Sequence, residues 1–340
     1  MNLTEKRLII FLRTNNKGTT TMKRNITIDF IRGFCMMYIV GIFHMTQYLG
    51  EYYYLNNNIY GNSFMCSCLG TFSFISGYLI GTKYICNNIS DAFVFYRKRI
   101  VRFYPLFVVS SILLYLISFN DLQQTVNGLF GLSSFEKKGT LTLWYISMIM
   151  VFYLITPIIL KEKKVRIIRS FFVFIGFCIL SQIIFIDKRF IFNLFLYLSG
   201  ICLSLKDIDF FRRVINTRLK RFFVGMGLLL YLILFFNLGT LNSFIIRKII
   251  ECLGVYVIVI LAFFCLKQVG NSKLVYFFSY ISMACYLFHR FTYWLALQIY
   301  QPDEIIFKLL YLVFIALPFG ILFSYTIQKS YDLLLYKLNK

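Results

Sequence analysis

Apolar residues gather in ten long blocks separated by short polar connections. The blocks are Arg32–Tyr48, Ser63–Ile85, Tyr104–Phe119, Thr142–Leu160, Ile167–Ile186, Phe190–Leu205, Phe222–Asn237, Ile249–Leu266, Leu274–Ile299 and Ile305–Ile327. Wound at about 1.5 Å per residue, a block of roughly 20 residues matches the ~30 Å hydrocarbon core of a bilayer. The pattern predicts an all-α polytopic membrane protein with about ten transmembrane helices. Residues 1–24 form a polar segment ahead of the membrane domain, 25–330 the ten-helix domain, and 331–340 a short tail. The first 21 residues lack the small-residue cleavage pattern of a signal peptide. Met22-Lys23-Arg24 offers a second candidate start.

Composition agrees with the blocks. The chain is 59% hydrophobic and 20% aromatic, with only 14 acidic residues in 340, and its mean hydropathy is +0.72. The net charge of +22 would suggest nucleic acid in a soluble protein, but its placement decides otherwise. The N-terminus, the even-numbered connections and the C-terminus together hold 28 Lys and Arg, against 6 in the odd-numbered connections. Such alternation is the positive-inside signature: it predicts both termini in the cytoplasm and no nucleic-acid partner. The nine cysteines show no CxxC pair and sit mostly in apolar blocks, as small buried hydrophobes do, so no metal site is expected. No internal repeat of the kind that builds two-halved transporters is visible.

Ionisable groups inside hydrocarbon are costly, so each one is a functional candidate. They are His44, His289, Arg290, Glu251 and Lys308, with Asp29 and Arg32 at the inner rim. His44 lies 12 residues beyond Arg32, about 18 Å along an ideal helix, and so past the midplane. A neutral imidazole there suits general-base activation of a hydroxyl; a hydrogen bond to a neighbouring helix would equally account for it. His289 and Arg290 either line the same cavity or serve packing. Glu251, placed by the pattern in the first turn of the eighth block, is either a contact for acceptor hydroxyls or a solvated boundary carboxylate. Arg97, Lys98, Arg99 and Arg102 precede the third block. Arg99 and Arg102 share a helix face and, beyond their topological role, suit an anionic ligand such as a phosphate. Ser76-Gly77 and Gly81 predict a close helix approach. The connection Gln47–Asn62 mixes tyrosines with Asn56, Asn57 and Asn58, which fits a membrane-interface belt or a sugar-binding surface.

Five motifs in order carry a family resemblance. They are Asp29-x-x-Arg32-Gly33 with His44 downstream, Ile75-Ser-Gly-Tyr-Leu-Ile80, Arg99-x-x-Arg102-x-x-Pro105, Leu143-Trp144-Tyr145 followed by Phe152-Tyr-Leu-x-x-Pro157, and Tyr286-Leu-Phe-His289. The chain resembles the integral-membrane acyltransferase family three, which moves acyl groups, usually acetyl, from cytoplasmic acyl-CoA to sugars and other acceptors across the membrane. The resemblance implies a bacterial-type O-acyltransferase in the plasma (inner) membrane, with acetyl-CoA as donor and no metal. Its acceptor would be a cell-envelope carbohydrate or lipid-linked glycan at the outer face. His44 would be the base, with direct transfer or a transient acyl-histidine both open. Arg99, Arg102 and Arg32 would hold the nucleotide phosphates, with Asp29 orienting Arg32. Glu251, His289, Arg290 and Trp144 would contact substrate or support the site. The rivals are an exporter of a glycan intermediate or small organic acid, and a non-catalytic accessory subunit of polysaccharide synthesis.

One departure makes a structural expectation. The family's first helix usually has ten residues between the basic residue and the histidine, and this chain has eleven. At about 100° per residue the extra one turns Arg32 and His44 from roughly 20° to roughly 120° apart. A π-bulge between Gly33 and His44, near Gly41, would absorb it.

Overall fold

The computed structural model describes residues 24–50, 58–206, 210, 217–240, 243–265 and 272–338. The N-terminal segment 1–23 and most of the tyrosine- and asparagine-rich connection, 51–57, lie outside the described residues. Among the described residues, ten long helices overlap the ten blocks: α1 (Ile26–Tyr48), α2 (Ile59–Lys83), α3 (Ile89–Leu116), α5 (Trp144–Ile159), α6 (Arg166–Ile183), α7 (Lys188–Leu203), α8 (Arg218–Phe236), α9 (Phe244–Cys265), α10 (Lys273–Ile299) and α11 (Ile305–Leu338). A short α4 (Leu122–Leu129) lies between α3 and α5, and no strand occurs among the described residues. Among the described residues five helices, α1, α2, α3, α6 and α11, are long and apolar enough to cross a membrane by length and composition. The fold is that of an all-α membrane protein.

Polar residues in the connections start the helices. The side chains of Asn25, Asn58, Asp187, Thr217 and Ser272 cap their helices, and Asn88 with Asp91 closes a capping box on α3. Pro105 denies the Val101 carbonyl its helical partner, and the Tyr331 hydroxyl of α11 donates to that carbonyl instead. Successive helices alternate between two ends of the bundle. At the near end Cys86 N donates to Leu160 O at 3.2 Å, and Arg166 Nη1 donates to Gly81 O at 2.8 Å. At the far end Asp187 N donates to Ser134 O at 2.9 Å, and Tyr60 Oη donates to Phe236 O at 3.0 Å.

The core has two centres. In one, α2 lies against α1, α7 and α9; in the other, α10 lies against α1, α3 and α11. The α2–α7 approach is the tightest. A Cβ added to Gly77 would come within 2.0 Å of the Tyr197 carbonyl oxygen, and one on Gly200 within 2.1 Å of that of Phe74. The small residues singled out in the sequence do bring two backbones together.

Candidate functional site

The expected irregularity is present in α1. Ile26–Tyr38 is α-helical, Ile39–His44 is π-helical, and a 3₁₀ turn, Met45–Tyr48, closes the element. Gly41 lies within the π segment, where Leu317 of α11 approaches its Cα face. The widened turn leaves carbonyls without their usual donors. Tyr293 Oη donates to one of them, Val40 O, at 3.1 Å.

The π segment restores alignment along a stripe on α10. Asp29 Oδ1 accepts from Ser279 Oγ at 2.6 Å, Arg32 Nη2 donates to Ser282 Oγ at 3.3 Å, and His44 Nδ1 meets His289 Nε2 at 2.7 Å. Ser282 and His289 are seven residues apart, about two turns, and so lie on one face. Arg32 and His44 therefore face the same partner helix despite the extra residue.

The histidine pair has a defined polarity. His289 Nδ1 lies 2.9 Å from Tyr286 O and 3.2 Å from Cys285 O. Carbonyl oxygens only accept, so Nδ1 carries the proton and Nε2 of the neutral ring is left as acceptor. His44 Nδ1–H then donates to His289 Nε2, and His44 Nε2 retains its lone pair. The two ring planes are parallel to within 2°, a geometry compatible with an in-plane N–H···N bond. Both rings are buried, at 8% and 2% exposure.

Beyond the pair, toward the far end, stands Arg290. Its Nε donates to Thr142 Oγ1 at 2.9 Å, and its guanidinium lies 5.9 Å from the centre of the Tyr48 ring. Thr142 also accepts from Tyr286 Oη through its carbonyl, at 2.6 Å. Its φ of 61° is strained for a β-branched residue, and strain of this kind gathers at functional sites. Trp144, two residues on, carries the Arg189 guanidinium 4.1 Å from its ring centre. Arg189 is paired to Asp187 at 2.5 Å. Burial opposes ionisation of Asp187, but the Arg189 hydrogen bonds outweigh it, with Lys248 adding, and hold the carboxyl below its ordinary range.

Toward the near end the arginines converge. Arg102 is exposed and its charge acts on both Arg32 and Arg99. Arg99 lies 5.4–5.5 Å from the ring centres of Tyr84, Phe95 and Tyr153, as cation–π neighbours do. Its Nε is buried and has no hydrogen-bond partner. A cluster of like charges with an unsatisfied buried donor fits an anionic ligand.

A family model described as an acyltransferase domain (Acyl_transf_3) matches residues 25–329. The chain belongs to the acyltransferase 3 family. No curated protein and no solved structure matches it significantly. The match spans the described helices from α1 into α11, so it covers both ends of the site, and this member of the family is a membrane acyltransferase.

Two expectations change. Glu251 is not at a solvated boundary: α9 begins at Phe244, earlier than the pattern placed it, and Glu251 is 5% exposed and paired to Lys248 Nζ at 2.5 Å. Asp29 does not hydrogen-bond Arg32; it takes Arg24 Nε at 2.5 Å as well as Ser279. His289, with two open readings in the sequence, is in direct contact with His44. Ser279, Ser282, Tyr293 and Thr142 were not picked out from the sequence; Tyr48 was, among the tyrosines of the Gln47–Asn62 connection. Ser279 and Ser282 stand ten and seven residues before His289 and Tyr293 four after it, within one apolar block, the three-to-four-residue period of a polar stripe on an inward helix face.

Proposed function

We propose that the protein is a plasma-membrane O-acyltransferase. It takes an acyl group, in our reading acetyl, from cytoplasmic acyl-CoA and places it on a hydroxyl of an extracytoplasmic carbohydrate or lipid-linked glycan. In this reading ten helices cross the bilayer with both termini cytoplasmic, which the Lys and Arg asymmetry supports. The near end is then cytoplasmic and the far end faces out. The observation that carries the reading is the alignment of Arg32 and His44 on one face of α10.

Arg99, Arg102 and Arg32 hold the nucleotide phosphates at the near end, and the thioester reaches the histidine pair. His44 Nε2 takes the proton of the acceptor hydroxyl, whose oxygen attacks the thioester carbonyl carbon. The C–S bond breaks, and the sulfur leaves with the proton that His44 returns, so ester and free thiol are the products. His289 holds His44 in the tautomer that the step needs and accepts from its Nδ1–H while the ring carries charge, as the orienting partner of a catalytic histidine does.

The test is release of CoA from acetyl-CoA by protein in lipid vesicles, with and without envelope glycan from the producing organism. Glycan-stimulated release, abolished by His44→Ala and restored at high acetyl-CoA in Arg99→Ala/Arg102→Ala, is the expected result. Acetyl-CoA left intact under all conditions would refute the reading in favour of transport.

A further inference from the structure

Under the positive-inside rule the far end should be poor in cations, and it is: six Lys and Arg lie in the odd-numbered connections. Four of the six nevertheless converge on one spot. Lys188 and Arg189 open α7, and Arg247 and Lys248 lie in the first turns of α9. The two helix starts interleave, with Lys188 Nζ 4.6 Å from the Phe244 ring centre and Lys248 Nζ 5.2 Å from that of Phe192. Topology does not ask for these cations, and helix N-termini disfavour them, because the macrodipole is positive there. Local ion pairs account for Arg189 and Lys248 but not for the other two.

Their counter-charges are incomplete. Asp187 pairs with Arg189 and Glu251 with Lys248. Lys188, Arg247 and Arg290 form no salt bridge among the described residues; Glu251, already paired to Lys248, is the carboxylate within electrostatic reach of Arg247, whose Nε is buried with no acceptor. Arg290 is the decisive member. It is 7% exposed, stands beside two neutral histidines, and its one side-chain hydrogen bond among the described residues is to the Thr142 hydroxyl. A buried guanidinium without an anion is among the costliest arrangements a bilayer protein can hold. Trp144 connects it to the outer cations, since Thr142 holds Arg290 and Trp144 holds Arg189.

We propose that the acceptor is an anionic carbohydrate, bearing a carboxylate or phosphate, whose charge is held by Arg290 with Lys188 and Arg247 while its hydroxyl reaches His44 Nε2. The proposal rests on the transferase reading for the role of the bound molecule, but not for its charge. Neutral glycans would leave Arg290 uncompensated and bind weakly.

Two measurements on the full chain in lipid vesicles test it. Envelope glycan is split by anion exchange into neutral and acidic pools, and each pool is assayed for binding by vesicle flotation and for stimulation of CoA release. The acidic pool should bind and stimulate at least about tenfold better, with affinity falling as sodium chloride rises from about 50 to about 500 mM. Binding should be lost in Lys188→Gln/Arg247→Gln/Arg290→Gln and kept in Lys161→Gln/Lys163→Gln/Lys164→Gln, which removes as much charge from the opposite end. Binding of the acidic pool without CoA release would overturn the transferase reading and leave the anion site standing. Equal or better binding of the neutral pool, binding of neither, or loss of binding in both triple variants would overturn the anion site. If Arg290→Gln alone lowers turnover equally for both pools without changing their binding, Arg290 serves the reaction centre and the proposal fails.

Discussion

Deleting Ile42 should leave a working enzyme. Twelve positions separate Arg32 from His44, and at about 100° each an ideal helix would set them roughly 120° apart; eleven positions would set them roughly 20° apart. The π segment Ile39–His44 already takes up the surplus, so removing one residue from it should turn α1 into a regular helix with both contacts to α10 kept. Ile42 is the residue to remove because it is 48% exposed and faces away from the core. Axial displacement of the imidazole would be at most about 1.5 Å, and a misplacement near 1 Å can cost on the order of 100-fold in rate. Turnover should therefore fall by no more than about that factor. The helical hydrogen bonds regained, each worth about 1 kcal/mol, should keep the thermal midpoint at or above wild type.

The control is deletion of Met283, between Ser282 and His289. With no π turn there to absorb the change, His289 turns about 100° and its Cα moves about 3.5 Å on a helix of ~2.3 Å radius. That exceeds the whole 2.7 Å length of the histidine hydrogen bond, and CoA release should vanish. If the Ile42 deletion folds but is as inactive as the Met283 deletion, the π segment has a role other than register and the alignment argument fails.

Other outcomes follow from the same geometry. His289→Gln keeps a side chain able to accept from His44 Nδ1–H and should retain several-fold more turnover than His289→Ala, with acetyl-CoA KM unchanged in both; equal loss would make the ring merely space-filling. Gly200→Ala places a methyl 2.1 Å from the Phe74 carbonyl oxygen and should cost roughly 1–3 kcal/mol, whereas Gly176→Ala, with nothing within 4 Å, should be neutral or stabilising by up to about 1 kcal/mol in a thermal melt. Asp187 has its carboxyl held below the ordinary range by Arg189. Its ion pair therefore contributes above that range and is lost only as pH falls below it, so Asp187→Asn should flatten the acid limb of a stability–pH curve and leave neutral pH unaffected apart from the lost pair.

The helices were legible because hydrophobic block length and helix length obey the same constraint, the thickness of the bilayer. The ends were less so. α3 begins at Ile89 although its apolar block begins only at Tyr104, because the intervening Arg97–Arg102 stretch is helical while too charged to count as apolar. The π segment was legible from a one-residue surplus, since a surplus between two groups that share a partner has few places to go. Glu251 was misjudged for the same reason as α3: Arg247 and Lys248 hid the start of α9, so a residue two turns inside looked like a boundary. The contact between His44 and His289 was out of reach, because which faces of α1 and α10 meet depends on tertiary packing that neither helix encodes alone. Thr142 was out of reach as well; a positive φ at a threonine leaves no mark in composition.

α10 is the element that makes one site out of two ends. Ser279, Ser282, His289 and Arg290 present, in order along its axis, partners for Asp29, for Arg32 and for His44, and then a cation toward the far end. A helix that met hydrocarbon on every side could not keep this stripe, and α10 keeps it because α1, α3 and α11 cover it. The charges on the stripe are uneven. Among the described residues, Asp29 at the near end accepts from Arg24 and Ser279 while Arg32 has only a serine as hydrogen-bond partner, and at the far end Arg290 has only a threonine. Two incompletely satisfied cations, one on each side of a neutral histidine pair, are what a catalyst needs if each of its two substrates brings a negative group and only their reacting atoms are to meet at His44. In a transporter one ligand would have to pass both cations in turn, and the unbroken His44–His289 bond between them would stand in its path. The presence of that bond fits the proposed transfer better than passage, and its polarity, set by the carbonyls of Cys285 and Tyr286, leaves His44 Nε2 the free lone pair that the proposed step calls for.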